Sequence, residues 1–175
     1  MEKPPERVRY FDGQLLGVDD LRAEQEYHRA MRYLHNRLHG SGVASGLDVG
    51  VEAGQVKVGP GLAVDAAGRE IVLTESVCVD AAVVPTGAQW RLVVEWAEEP
   101  AHPVPVPGDE PQPSRWVERP RLSLVAPGRL PDDALLLAHV TRAADGRLHV
   151  DGSVRQQLGR HGRPPVERRR FRPRR

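Results

Sequence analysis

Residues 31–58 read MRYLHNRLHGSGVASGLDVGVEAGQVKV, and the apolar period changes in mid-stretch. Before Gly40 the apolar residues recur at helical spacing. After it, Leu47, Val49, Val51, Val56 and Val58 alternate with polar or small residues at the spacing of a strand. A helix joined to an antiparallel sheet is therefore expected, which makes the chain α+β.

Upstream, the helical pattern runs back to residue 18. No Pro or Gly occurs from Val18 to His39. Gly17 can cap the helix, and Asp19 and Asp20 place negative charge in its first turn, where the helix dipole favours it. Leu21, Tyr27, Met31, Leu34 and Leu38 make one apolar stripe, and Gly40 supplies a C′ stop. The helix is assigned to residues 19–39, after a docking arm at 1–18. In that arm Asp12-Gly13 signals a turn, which leaves Tyr10, Phe11, Leu15 and Leu16 as clustered apolar groups.

Downstream, residues 40–96 form the first part of the β domain. Ser41–Gly46 reads as a small-residue linker. Turns are expected at Ala53-Gly54 and Ala66-Ala67-Gly68-Arg69, and the clearest strand is Trp90–Trp96. Six prolines between Pro100 and Pro113 mark residues 97–114 as an extended, polyproline-like excursion, either a loop or an arm laid on a neighbour. Residues 115–158 complete the β domain, with strands at Trp116–Glu118, Leu122–Val125 and Leu135–Val140 and a hairpin turn at Asp145-Gly146. Short strands at such spacing suggest a sandwich or barrel-like sheet.

The 175 residues favour one domain with appendages. Aromatics are only 5%, so the core must rest on Val, Leu and Ala. No apolar run approaches the ~18 residues of a membrane span, and the N-terminus has no apolar signal-peptide segment. One cysteine, Cys78, excludes an internal disulfide; in an alternating strand it reads as a small buried hydrophobe. The net charge of +1 is unevenly spread: residues 160–175 carry eight Arg against Glu167, and the remainder is acidic.

No catalytic constellation emerges. The serines lack a nucleophile-elbow context, and Glu98-Glu99 and Asp132-Asp133 are adjacent pairs that an extended chain turns to opposite faces. GSGVASG follows a helix instead of opening one, so it is no phosphate cradle. His28, His35 and His39 lie together beside the apolar stripe. His35 and His39 have a spacing that two metal ligands can use, but His28 is about 10 Å away along the axis. The favoured role for the three is hydrogen bonding at the edge of a helix–sheet or subunit contact. No metal and no cofactor are expected.

The N-terminal third has a resemblance. Residues 9–28, R-Y-F-D-G-Q-L-L-x-x-x-D-L-x-x-E-Q-x-Y-H, lead into Arg32–Gly40, then G-V-A-S-G-L-D-V at 42–49 and V-x-V-G-P-G-L-A-V-D-A-A-G-R-E-I-V-L at 56–73. This order resembles tail-associated proteins of phages and phage-like contractile injection systems, over about residues 7–80, with a weaker match at 130–148. The family's linker often reads GVVCGL; Ala44-Ser45 here removes any thiol role. The resemblance implies a non-catalytic structural component at a baseplate or tail-fibre attachment point, the length favouring a short adaptor. Its partners would be other baseplate or tail subunits, in multiple copies by particle symmetry, with no membrane. Assembly would be cytoplasmic, as part of a particle that lysis can release. The partner-binding set is Tyr10, Phe11, Gln14, Leu15, Leu16, Tyr27, His28, Met31, His35 and His39.

Two alternatives stand beside this reading. One is a nucleic-acid-binding module using the Arg-rich tail. The other is a carbohydrate- or receptor-binding β module with Trp90, Trp96 and Trp116 as stacking platforms, although Trp90 and Trp96 share strand parity and are expected in the core. The tail is testable at once. The intact chain is expected to show no salt-sensitive retardation of duplex DNA in a gel shift. Retardation that disappears on truncation after Leu158 would establish the nucleic-acid reading instead.

Overall fold

The computed structural model describes residues 4–128 and 130–159, so the Arg-rich segment 160–175 lies outside the described residues. The chain is α+β: among the described residues one helix, α1 (Val18–Arg37), precedes twelve strands that pair with one another antiparallel, and β1 and β11 each add one parallel bridge, Val43 to Gln157 and Arg142 to Thr86. The first six are β1 (Gly42–Gly46), β2 (Val49–Glu52), β3 (Gln55–Val58), β4 (Gly61–Val64), β5 (Glu70–Leu73) and β6 (Val77–Val79). The others are β7 (Gln89–Glu95), β8 (Glu98–Val106), β9 (Asp109–Glu118), β10 (Arg121–Val125), β11 (Leu135–Arg142) and β12 (Leu148–Asp151). They form sheets ordered β1-β4-β5, β2-β3-β6 and β10-β7-β11-β12, with β8-β9 as a separate hairpin. The sheets do not close into a barrel.

Strand parity builds the core. Val56 and Val58 of β3 point in, as do Ile71 and Leu73 of β5, while Val72 between them is exposed. Leu92 and Val94 of β7 meet Leu137, Ala138 and Val140 of β11, and Trp90 and Trp96, of the same parity, pack against that cluster. Each fully buried Val or Leu contributes about 1.5–3 kcal/mol, so this apolar centre stabilises the β domain. Cys78 falls on the outward parity of β6 and is exposed, not buried as its strand setting suggested.

Two segments differ from their sequence reading. Ser41–Gly46 is not a free linker: Gly42–Gly46 is β1, paired with β4 through a bulge near Val43 and Ser45. Its small residues serve close approach. A Cβ on Gly46, whose φ is +61°, would stand 2.1 Å from the Pro60 carbonyl oxygen. The C-terminal segment lies along the same strand: Val43 N–H donates to the Gln156 carbonyl (2.8 Å) and Leu158 N–H to the Val43 carbonyl (2.9 Å). Residues 97–114 are likewise no polyproline excursion. They belong to the β8-β9 hairpin, whose turn is Pro107-Gly108. In a two-stranded ribbon each strand is an edge, so prolines with no N–H can sit on the unpaired side.

Local chemistry sets the ends of α1. The Asp20 carboxylate accepts the Gly17 N–H (2.9 Å), as the N3 residue of a capping box does. At the other end Leu38, His39 and Gly40 N–H groups donate three residues back, to His35, Asn36 and Arg37. That tightens the last turn and leaves Gly40 one position beyond the expected C′ site. No residue of α1 is buried.

The helix rests on the β4–β5 turn, Asp65–Arg69. Asp65 is the one buried charged side chain among the described residues; its Oδ2 accepts from Arg69 Nε (2.6 Å) and its Oδ1 from the Arg69 N–H (2.9 Å). The Arg69 guanidinium also lies 4.9 Å from the Trp96 ring and donates to Asp133 (2.9 Å). Gly68, at φ +89°, abuts the Tyr33 carbonyl of α1, where a Cβ would approach to 2.2 Å.

Gly68→Ala is expected to cost about 1–3 kcal/mol in urea unfolding, and Gly54→Ala, at a similar φ but in open space, less. Arg69→Ala leaves the Asp65 carboxylate buried without its cation. It is expected to cost about 2–4 kcal/mol and lower the thermal midpoint by several degrees.

Candidate docking surface

The face that α1 turns toward the β domain is polar. Asn36 Nδ2 donates to the Gly68 carbonyl (2.9 Å) and to Glu70 Oε1 (2.8 Å). Arg32 Nε pairs with the same Glu70 oxygen (3.1 Å), and Arg29 reaches Glu98 at the start of β8 (3.4 Å). The Tyr33 hydroxyl bonds Arg29, and with the Glu98 and Glu118 carboxylates it holds that guanidinium protonated above its ordinary range. These residues follow the spacing 29, 32, 33, 36, one stripe of a helix.

The apolar stripe therefore faces away. At 100° per residue, Tyr27, Met31, Leu34 and Leu38 centre roughly 180° from the docked stripe. The sheet thus receives the polar stripe of α1. The cause is the β4–β5 turn, which offers a carbonyl and a carboxylate instead of apolar surface. Tyr27 and Met31 are half-buried, and Leu34 and Leu38 are exposed, Leu38 at 78%. Pro4–Glu6 share a groove with Ala23, Tyr27, Ala30 and Leu34, so the start of the chain runs along one flank of the stripe.

The arm adds exposed apolar groups of its own. Gln14 N–H donates to the Phe11 carbonyl (3.1 Å), and Gln14 Oε1 accepts the Phe11 N–H (3.3 Å), closing the Asp12-Gly13 turn. Gln14 thus shapes the arm locally. The turn projects its neighbours outward: Tyr10 and Leu16 are about half exposed, Phe11 is 65% exposed and Leu15 92%. Val18 and Leu21, in the first turn of α1, are exposed as well. Tyr10, Phe11, Leu15, Leu16, Val18 and Leu21 thus put six exposed large apolar side chains within twelve residues of chain.

The three helical histidines are exposed. Their hydrogen bonds lie along α1 and the turn after it and not at the sheet: His28 Nε2 to Glu24 Oε1 (2.9 Å), and His39 Nε2 to His35 Nε2 (3.2 Å). No group of three or more His, Cys, Asp or Glu among the described residues is placed to hold a metal. Of the three tryptophans only Trp116, on β9, is exposed, so the carbohydrate reading loses two of its three platforms.

Sequence reasoning did not single out Asn36, Gly68, Glu70 or the Asp65–Arg69 pair as a docking platform. Residues 64–71, VDAAGREI, read correctly as a turn and a strand. Their signal was an acid and an arginine four residues apart across a glycine turn, flanked by alternating apolar residues.

No family model matches the chain, and no curated protein matches it in sequence. Solved structures match it in fold. A chain in the cryo-electron microscopy structure of the type VI secretion system TssK-TssF-TssG baseplate subcomplex has a TM-score of 0.56 at 14% identity, covering 83% of this chain and 60% of that one. A chain of the baseplate complex from the type VI secretion system has a TM-score of 0.54 at 13% identity, covering 85% of this chain and 58% of that one. The protein spans about three-fifths of the chains it matches, and its likeness to these baseplate chains is one of fold.

Proposed function

We propose that the protein is a non-catalytic structural subunit of the baseplate of a contractile, phage-tail-like particle. It assembles in the cytoplasm and docks on neighbouring subunits through its arm and the outer face of α1. The observation that carries this reading is the orientation of the helix. The polar stripe through Arg29, Arg32 and Asn36 fastens it to the β domain, which leaves Leu34 and Leu38 exposed, and the arm adds the exposed Phe11 and Leu15. A protein that worked alone would gain by turning that stripe inward. The fold likeness to type VI secretion baseplate chains supports the same reading.

Burial of Phe11 or Leu15 against a partner is worth about 1.5–3 kcal/mol each, and every ~1.4 kcal/mol is tenfold in affinity. Phe11→Asp and Leu15→Asp are therefore each expected to reduce incorporation into sedimenting particles at least tenfold. The circular dichroism of the β domain should stay unchanged, because both side chains are exposed. The readout is the tagged protein in the heavy fraction of source-cell lysate, viewed by electron microscopy. Normal incorporation of both variants would remove the arm from the interface. Wild-type protein that stays light while such particles pellet without it would remove the baseplate role.

A further inference from the structure

The last turn of α1 and the turn just beyond it carry a second, separable feature. His35 and His39 stand one turn apart, both exposed, with ring centroids 5.0 Å apart and planes at 70°. Their Nε2 atoms converge to 3.2 Å. Two imidazole nitrogens bound to one tetrahedral Zn²⁺ at about 2.0–2.1 Å are separated by about 3.3–3.4 Å. The pair thus has ligand spacing before any ion arrives. As neutral rings the two nitrogens can share only one N–H···N bond; a divalent cation would engage both lone pairs.

The electrostatics of the position agree. A helix C-terminus carries partial negative charge, and its last carbonyls lack regular partners. Here that end is already tightened into three-residue bonds. Arg32, the cation on the adjoining helix face, is held by Glu70 (3.1 Å). Arg37 projects from roughly the opposite side of the helix.

We propose that His35 and His39 form a two-ligand site for a divalent transition-metal ion of the zinc and copper class, which clips the end of α1 to the turn that follows it. Imidazole nitrogen suits these ions, and Mg²⁺ or Ca²⁺, which take oxygen ligands, would not bind. The remaining coordination positions open outward and take water in the isolated chain. The site does not rest on the baseplate reading, and neither depends on the other.

The test is titration of the full-length chain with ZnCl₂ and with CuCl₂ by isothermal calorimetry, alongside thermal unfolding. One ion per chain is expected, with Cu²⁺ tighter than Zn²⁺, and a rise in the thermal midpoint at saturating ion. His35→Asn and His39→Asn should each weaken binding at least tenfold and abolish that rise. His28→Asn, whose ring is engaged by Glu24, should change neither. Absence of Zn²⁺ uptake at millimolar concentration, or uptake that survives the His35/His39 double substitution, would overturn the assignment.

Discussion

The contact on which the arrangement depends is the one between Asp65 and Arg69. A buried carboxylate is costly unless it is paired and hydrogen-bonded, and this one receives both the Arg69 side chain and the Arg69 N–H. The pairing closes the β4–β5 turn with Gly68 at its apex and Glu70 at the start of the next strand. Arg69 then ties the turn to Trp96 at the end of β7 and to Asp133 ahead of β11. One guanidinium thus links the small sheet that carries the helix to the large sheet, and both line the same apolar core.

The orientation of α1 follows from that turn. Its apex displays a backbone carbonyl and a carboxylate, so the helix face that can lie on it must supply donors. Asn36 and Arg32 do so. The Tyr33 carbonyl presses against Gly68, which admits no side chain there. Once this polar stripe is committed, helical geometry leaves the apolar stripe on the far side. The molecule has two tiers as a result. The β domain is held by a continuous apolar core, whereas the helix buries no side chain and is held by a few hydrogen bonds and partly exposed ion pairs. Such pairs contribute little each, and an isolated helix of this length is marginal in water. A helix held so lightly, with Leu34 and Leu38 of its apolar side exposed, suits a surface completed by a partner.

The β8-β9 hairpin and β1 show where sequence reading stopped short. Six prolines in residues 97–114 argue against a central strand, and none forms. They do not argue against a two-stranded ribbon, where Pro103 sits opposite Pro113 and Pro100 opposite Trp116. The Ser41–Gly46 stretch looked like a linker because small residues have no period. Its glycines are needed for contacts with Pro60 and with Gln156–Leu158, far away in the chain. No local pattern reports a close approach of that kind.

The sequence by itself determined the elements whose causes are local. It specified the helix through its uninterrupted period and acidic first turn, the turn at Asp12-Gly13, the alternation of Val56 and Val58, and the shared core parity of Trp90 and Trp96. It also marked Tyr10, Phe11, Leu15 and Leu16 as apolar groups without a regular place. Tertiary structure alone decided which stripe of α1 meets the β domain. Periodicity shows that a helix has an apolar face, but not what surface it will meet. That surface was made by a turn some 30 residues later, where a buried acid–arginine pair put acceptors where apolar side chains were expected.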